Sequence, residues 1–219
     1  MQAALDSPKN RSTAERMSPR YRLFRVLMRF LGRIIWGFTV HGEERMPRKG
    51  PLVVAANHTQ YLDPVYVCMA IPRRVQWMAK KELFAFPFSA FFYFIGSFPV
   101  DRQGDSRVGL RSALNFLKSG WALGIFPEGT HRTGEGAREA KSGTVLLAVR
   151  GGAPVLPVFV SRAPGLRGRL RGEKLEIYVG NPLTLDATLR GREEYREAAE
   201  EILRIIYALP PEERDRESS

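Results

Sequence analysis

Residues 52–63 decide how this chain folds, and they read Leu-Val-Val-Ala-Ala-Asn-His-Thr-Gln-Tyr-Leu-Asp. The five apolar residues at the start predict a buried strand, and the polar residues after them predict a loop. Asp63 is followed by Pro64, a pair typical of the first turn of a helix. We therefore expect His58 at the carboxyl end of a strand, with Asp63 at the start of the next helix and within reach of it.

The alternation of strand and helix continues on both sides of this stretch. It predicts an α/β fold with a mixed, largely parallel central sheet flanked by helices. Active sites of such sheets gather at the carboxyl ends of the strands. Further strands are predicted at 75–79, 97–100, 123–126, 155–160 and 175–179, with an edge strand at 38–42. Helices are predicted at 63–70, 106–117, 143–150 and 192–209.

Residues 19–38 predict a basic amphipathic helix, because apolar residues recur every three or four positions and four arginines fall on the opposite side. Such a helix anchors a protein in a membrane interface, and the alternative is a helix packed on its own domain with a solvated arginine face. Residues 1–49 carry eleven Lys and Arg against four acids, within a formal net charge of +11. This basic end indicates an anionic partner, either lipid headgroups or nucleic acid.

These patterns divide the chain into a disordered N-terminus at 1–18, an amphipathic membrane-anchor helix at 19–38, an α/β domain at 39–208 and a disordered tail at 209–219. No stretch predicts a transmembrane helix or a signal peptide, so we expect the protein to stay in the cytoplasm, whatever surface it touches. The single cysteine forms no internal disulfide. The three histidines lack metal-ligand spacing, so neither a metal nor a cofactor is expected.

His58 and Asp63 are residue types that suit general base catalysis. A carboxylate bonded to one ring nitrogen fixes the tautomer, and the other nitrogen then takes a proton from a substrate hydroxyl. No serine or cysteine beside the pair is an obvious nucleophile, which favours direct transfer over a covalent intermediate. Taken singly, a structural histidine and a helix-capping aspartate remain the alternatives.

The spacing from His58 to Asp63 after an apolar strand resembles the first motif of the glycerolipid acyltransferase family. Three further segments follow in the order and spacing of that family's motifs. They are Phe-Pro-Val-Asp-Arg at 98–102, Phe-Pro-Glu-Gly-Thr at 126–130 and Val-Leu-Pro-Val at 155–158. Together they cover roughly residues 50–160. His131 departs from the arginine that commonly follows the third motif.

The resemblance implies an activity and a role for each matching residue. The chain is expected to move a fatty acyl group from acyl-CoA or acyl-carrier protein to the free hydroxyl of 1-acylglycerol 3-phosphate, giving phosphatidic acid. His58 and Asp63 would be the catalytic pair. The residues expected to bind the acceptor are Arg102 and Lys141, on its phosphate, with Glu128, Gly129 and Thr130.

The expected partners are a lysophospholipid acceptor, the thioester donor and an anionic membrane surface at the cytoplasmic face of the cell membrane. Residues 83–100 hold seven phenylalanines without a charge, which suits a buried helix or an apolar groove for an acyl chain. Another acceptor, such as glycerol 3-phosphate or another lysolipid, stays open, as does a non-catalytic lipid-binding protein. A nucleic-acid-binding protein is disfavoured because no recognised motif supports it.

Overall fold

The protein is built on a seven-stranded sheet with helices packed on both faces. The computed structural model describes residues 17–85, 87, 89–100, 106–129 and 140–211. Within them, the strands are β1 (Thr39–His41), β2 (Leu52–Ala56), β3 (Val75–Lys80), β4 (Ser97–Val100), β5 (Ala122–Ile125), β6 (Val155–Val160) and β7 (Glu176–Val179). The helices are α1 (Pro19–Trp36), α2 (Asp63–Ala70), α3 (Ser89–Phe94), α4 (Ser106–Lys118), α5 (Gly143–Gly151), α6 (Leu166–Leu170) and α7 (Arg192–Tyr207).

The strand order across the sheet is β1-β7-β6-β2-β5-β3-β4. The five strands from β6 to β4 are parallel to one another, whereas β7 runs antiparallel to β6 and β1 pairs in parallel with β7. The predicted mixed, largely parallel sheet is therefore confirmed. Every predicted strand is present, and the ends of the strands differ from the predicted ones by one residue at most.

β2 lies at the centre of this sheet and is buried along its whole length. Its alternate side chains enter two different cores. Leu52, Val54 and Ala56 belong to the core under α1 and α2, and Val53 and Ala55 belong to the core under α4, α5 and α7. Because both faces of the strand are covered, its sequence is continuously apolar instead of alternating.

α1 packs with part of its charged side toward the domain and with its apolar stripe outward. Arg25 and Arg29 face α2, so the expected alternative of a solvated arginine face does not hold for them. The close packing of the two helices depends on Gly32, because a Cβ there would lie 2.5 Å from Cε of Met69. The exposed stripe consists of Leu23, Val26, Leu27, Phe30, Ile34 and Ile35. No described helix has both the length and the hydropathy needed to cross a membrane.

The inward arginines bind the C-terminal end of α2. Arg29 donates to both carboxylate oxygens of Glu43, at 3.0 and 2.9 Å, and Arg25 donates to the carbonyl oxygen of Ala70 at 3.0 Å. Arg29 also reaches the carbonyl oxygen of Met69 at 3.4 Å. Carbonyl groups in the last turn of a helix lack partners within the helix, and the helix dipole favours cations there. The two arginines therefore fasten α1 to α2.

The folded region extends slightly beyond the predicted division of the chain. Ser18, placed in the disordered N-terminus, is instead the N-cap of α1. The predicted anchor helix 19–38 ends at Trp36, and Phe38 lies in the core. Leu209, placed in the tail, packs on the turn after β7, because a Cβ on Gly180 would lie 2.9 Å from its Cδ2.

The sequence patterns missed the short elements, which contain too few residues to show a period. These are α3, α6 and two 3-10 turns at Glu43–Arg45 and Lys81–Phe84. α3 falls within the phenylalanine-rich segment 83–100, where a buried helix or an apolar groove was expected. Phe94 of α3 packs edge-on against Phe24 of α1, with ring centroids 5.1 Å apart, whereas Phe91 and Tyr93 are exposed. The segment therefore forms an apolar surface beside α1 as well as a packed contact.

Replacing Glu43 by Gln should destabilise the protein in a pH-dependent way. Burial works to raise the pKa of Glu43, but the hydrogen bond and charge of Arg29, together with Arg25, outweigh it and leave that pKa below its usual value. The stabilisation is therefore complete above the unfolded-state pKa of about 4.3 and is lost as the pH falls through the lower folded-state pKa. We expect Glu43→Gln to lower the Tm by about 2 °C at neutral pH, and the difference to narrow as the pH falls below about 4.

Glu44→Gln is the matched control, because Glu44 is more exposed and its one ion pair among the described residues is with Arg45, at 3.6 Å. Thermal unfolding of the three proteins across this pH range provides the measurement. A Tm difference for Glu43→Gln that does not change with pH would contradict the role assigned to its carboxylate.

Candidate active site

Asn57 fixes the carboxyl edge of the sheet at the point where β2 and β6 end. Its fully buried side-chain amide donates to the carbonyl oxygen of Val160 at 2.9 Å and accepts from the Val160 N–H at 2.6 Å. Gln60 extends this link, since it donates to the Ser161 carbonyl oxygen at 3.4 Å and accepts from the Ala163 N–H at 3.3 Å. The loop that carries His58 is therefore held against the loop that follows β6.

His58 and Asp63 lie in direct contact within this loop. His58 Nδ1 is 3.1 Å from Asp63 Oδ2, and the same oxygen accepts from the backbone N–H groups of Thr59 and Gln60, both at 2.8 Å. Asp63 is fully buried, and the side chain of His58 is 16% exposed. Because an ionised carboxylate only accepts hydrogen bonds, Nδ1 carries the ring proton and Nε2 presents the lone pair. This is the tautomer that a general base requires.

An aromatic stack supports the imidazole ring of His58. The ring of Phe126 lies nearly parallel to it with centroids 4.0 Å apart, and Trp77 stacks on Phe126 at 5.0 Å. The indole N–H of Trp77 donates to Cys68 Sγ at 3.3 Å, and burial raises the pKa of that thiol. Gly124 leaves room for the indole, since a Cβ there would lie 2.5 Å from it. Packing against the aromatic stack and the contact with Asp63 together fix the orientation of the imidazole ring.

The loop after β5 brings three of the predicted acceptor-binding residues together. Glu128 is buried, and one of its carboxylate oxygens accepts from the hydroxyl of Tyr207 at 2.6 Å. Gly129 has a φ of 76°, and a Cβ on it would lie 3.0 Å from Cγ of Lys141. The Lys141 N–H in turn donates to the carbonyl oxygen of Pro127 at 2.7 Å. The structure thus places Glu128, Gly129 and Lys141 beside one another, at the end of the strand next to β2.

Two other predicted acceptor-binding residues, Arg102 and Thr130, lie outside the described residues. β4, the strand before Arg102, ends at the same edge of the sheet as β2 and three positions away from it. Neighbouring strands are about 4.8 Å apart, so the ends of β4 and β2 are separated by about 14 Å. The roles assigned to Arg102 and Thr130 stay predictions.

Sequence reasoning did not identify several residues that shape this site. Phe126 stands within the third motif, so its position beside Glu128 could have indicated a contact with the base. Trp77 and Tyr207 carried only the signals of a strand and a helix, and neither lies in a motif. No described group of three or more His, Cys, Asp or Glu side chains is arranged to hold a metal ion. The absence of a metal or cofactor therefore stays a prediction.

Comparison with known protein families identifies a family whose sequence model includes these residues. A sequence model described as Acyltransferase matches residues 37–161, which run from before β1 to the end of β6 and include His58, Asp63 and Glu128. This match covers more than half of the chain.

Comparisons with individual proteins also point to an acyltransferase. The chain is 32% identical to the 1-acyl-sn-glycerol-3-phosphate acyltransferase of Bacillus subtilis, over 67% of this chain and 74% of that protein. It is 30% identical to the enzyme of that name from Streptococcus pneumoniae, over 66% of this chain and 55% of that protein. The crystal structure of the 1-acyl-sn-glycerophosphate acyltransferase of Thermotoga maritima has the same fold, with a TM-score of 0.64 at 24% identity over 88% of this chain and 83% of that one. The chain is a member of the acyltransferase family.

Proposed function

We propose that this protein transfers a fatty acyl group from acyl-CoA or acyl-carrier protein to the free hydroxyl of 1-acylglycerol 3-phosphate, giving phosphatidic acid. The observation that carries the proposal is the contact of His58 Nδ1 with Asp63 Oδ2 at the carboxyl edge of β2, in a member of the acyltransferase family. The relatives from Bacillus subtilis and Streptococcus pneumoniae, which are named for this reaction, support the choice of acceptor.

Proton transfer through His58 accounts for both the attack on the thioester and the departure of the thiol. Nε2 removes the proton from the acceptor hydroxyl as its oxygen attacks the carbonyl carbon of the thioester. Asp63 stabilises the imidazolium that forms. The tetrahedral intermediate then expels the thiolate, the new ester bond remains, and the imidazolium returns the proton to the departing sulfur. The thioester itself supplies the leaving group, so the reaction requires no cofactor.

The acceptor binds through the residues at the ends of β4 and β5. Arg102 and Lys141 bind its phosphate, since guanidinium and ammonium groups pair strongly with phosphate oxygens. Glu128, which is buried and held by Tyr207, lines the acceptor site at the end of β5. Gly129 lies next to it in the turn, and Thr130 keeps the acceptor-binding role that the family resemblance implies. Lys141 reaches the site because its side chain lies along Gly129, where any side chain would obstruct it.

The protein works at a membrane surface, where its lipid acceptor resides. The outward stripe of α1 and the exposed Phe91 and Tyr93 of α3 are adjacent, since Phe24 of α1 contacts Phe94 of α3. Together they form an apolar surface that enters the interface of an anionic leaflet, with the exposed Arg22 and Arg33 among the lipid headgroups. We propose that this surface holds the protein, peripherally or monotopically attached, on the cytoplasmic face of the cell membrane.

Loss of the imidazole should abolish transfer. We expect His58→Ala to lower the rate of acceptor-dependent thiol release from acyl-CoA about a thousandfold, because general base catalysis contributes on this scale. The measurement uses lysophosphatidic acid and a thiol reagent. His41→Ala is the control, because His41 lies on β1, where it bonds Glu176 at 3.2 Å, and it should keep the wild-type rate. Full activity of His58→Ala would refute the mechanism.

The hydroxyl of Tyr207 should matter for binding the acceptor. Tyr207→Phe removes the donor that holds Glu128, so we expect the KM for lysophosphatidic acid to rise about three- to tenfold with a smaller change in kcat. Tyr195→Phe, on the same helix, is the control and should leave the KM unchanged. A Tyr207→Phe protein with a lower Tm but an unaltered KM would show that the contact is only structural.

The apolar stripe of α1 should determine membrane binding. Val26 and Val108 are 62% and 58% exposed, on helices that cover opposite faces of the sheet. Val26→Ser should weaken partitioning into vesicles that contain phosphatidylglycerol about tenfold, whereas Val108→Ser should leave it unchanged. Vesicle flotation measures both. Equal effects of the two substitutions would assign the membrane contact to another surface.

A further inference from the structure

The loop that joins β6 to β7, residues 161–175, concentrates positive charge at the edge of the sheet where His58 lies. It contains α6 and five basic side chains against a single acid, Glu173. We call it the basic loop, and its basic residues are Arg162, Arg167, Arg169, Arg171 and Lys174. Apart from its first residue, it lies beyond the part of the chain that the family model matches.

Two leucines of the basic loop project into solvent. Leu166 and Leu170 are each 80% exposed, more than Leu23 of α1 at 70%. They stand four residues apart on α6, so they share one side of its turn. Leucines that alternate with arginines match the interface of a bilayer, where headgroups neutralise the cations and the leucines enter the acyl boundary.

The base of the loop is fixed in place. Ser161 Oγ accepts from the Glu176 N–H at 2.8 Å, and the Leu175 N–H donates at 2.8 Å to the carbonyl oxygen of Trp36, the last residue of α1. On the other side, Gln60 binds the N–H of Ala163. The basic loop is thus joined both to the end of α1 and to the loop that carries His58.

We propose that the basic loop is a second membrane contact, in which its cations bind the headgroups of anionic phospholipids in a bilayer and Leu166 and Leu170 insert between them. The inference deepens the proposed function and rests on it, since it takes α1 to lie on the same bilayer. The closeness of the basic loop to the C-terminal end of α1 supports a bilayer over a small anion. A Cβ on Gly37, which caps α1, would lie 3.1 Å from side-chain atoms of both Arg169 and Lys174.

A second contact fixes the orientation of the active site on the membrane. The apolar surface formed by α1 and the neighbouring α3 lies to one side of the domain, and by itself it leaves the domain free to tilt about the axis of α1. The basic loop removes this freedom because it lies at the carboxyl edge of the sheet, next to Asn57 and Gln60. Its binding turns that edge toward the headgroups, among which the phosphate of the lysolipid lies.

Vesicle flotation with mixed phosphatidylcholine and phosphatidylglycerol tests the proposal with two double variants. Arg167→Gln with Arg171→Gln, and Leu166→Ser with Leu170→Ser, should each weaken partitioning about tenfold or more. The control is Arg192→Gln with Arg204→Gln, which removes the same charge from exposed positions on α7, across the sheet. It should bind like the wild type, and thermal unfolding checks that each variant is folded.

The outcomes separate this inference from the proposed function. If both loop variants bind vesicles as the wild type does, the basic loop is not a membrane contact, while the α1 surface keeps its own test in Val26→Ser. Failure of the wild type to bind vesicles would overturn both. Unchanged vesicle binding with slower transfer from acyl-carrier protein would assign the loop to an acidic protein partner, and this too would overturn the inference.

Discussion

The buried carboxylate of Asp63 is the constraint on which the active-site edge depends. A charge removed from water requires compensating donors, and a single oxygen of Asp63 receives the ring N–H of His58 and the backbone N–H groups of Thr59 and Gln60. The three donors come from consecutive residues, so the pairing of Asp63 determines the course of the turn between β2 and α2. Any other course would leave a buried charge without its donors. The orientation of the imidazole is therefore part of what makes the turn stable, and catalysis uses a geometry that folding already requires.

α2 transmits this constraint to α1. Asp63 begins α2, and the carbonyl groups at its other end accept hydrogen bonds from Arg25 and Arg29. Eight residues of α-helix span about 12 Å, so one short rigid element separates the catalytic pair from the arginines. Sliding α1 over α2 would break the charge-assisted bonds of Arg29 to Glu43 and move Gly32 away from its close contact with Met69. Under the proposed function α1 lies on a bilayer, and its position there therefore also determines the position of His58.

How much of the fold and the active site the sequence predicted depends on whether an interaction is local or joins distant parts of the chain. The strands were predictable because apolar runs bounded by turn residues are too short for most helices. The pairing of His58 with Asp63 was predictable because both lie within one local turn. The aromatic stack under His58 was not predictable, since Trp77, Gly124 and Phe126 meet only once β3 and β5 are paired. The hydroxyl of Tyr207 reaches Glu128 from 79 residues further along the chain, and helical periodicity does not reveal such a contact. The inward direction of Arg25 and Arg29 was missed because a helical pattern indicates that two faces differ, without indicating which one meets the protein.

The exposed apolar stripe of α1 is itself informative. A helix that covers its own domain in water buries its apolar face, since the area removed from water stabilises the contact by about 25 cal/mol per Å². The inner face of α1 packs Tyr21, Met28 and Trp36 against the domain, but the helix leaves a second apolar stripe exposed. In water the exposed stripe contributes no such stabilisation, whereas an apolar phase against it supplies one. A bilayer interface supplies that phase, and it also accommodates the exposed Arg22 and Arg33 among anionic headgroups. The exposed stripe of α1 thus supports the membrane-surface part of the proposed function independently of the catalytic residues.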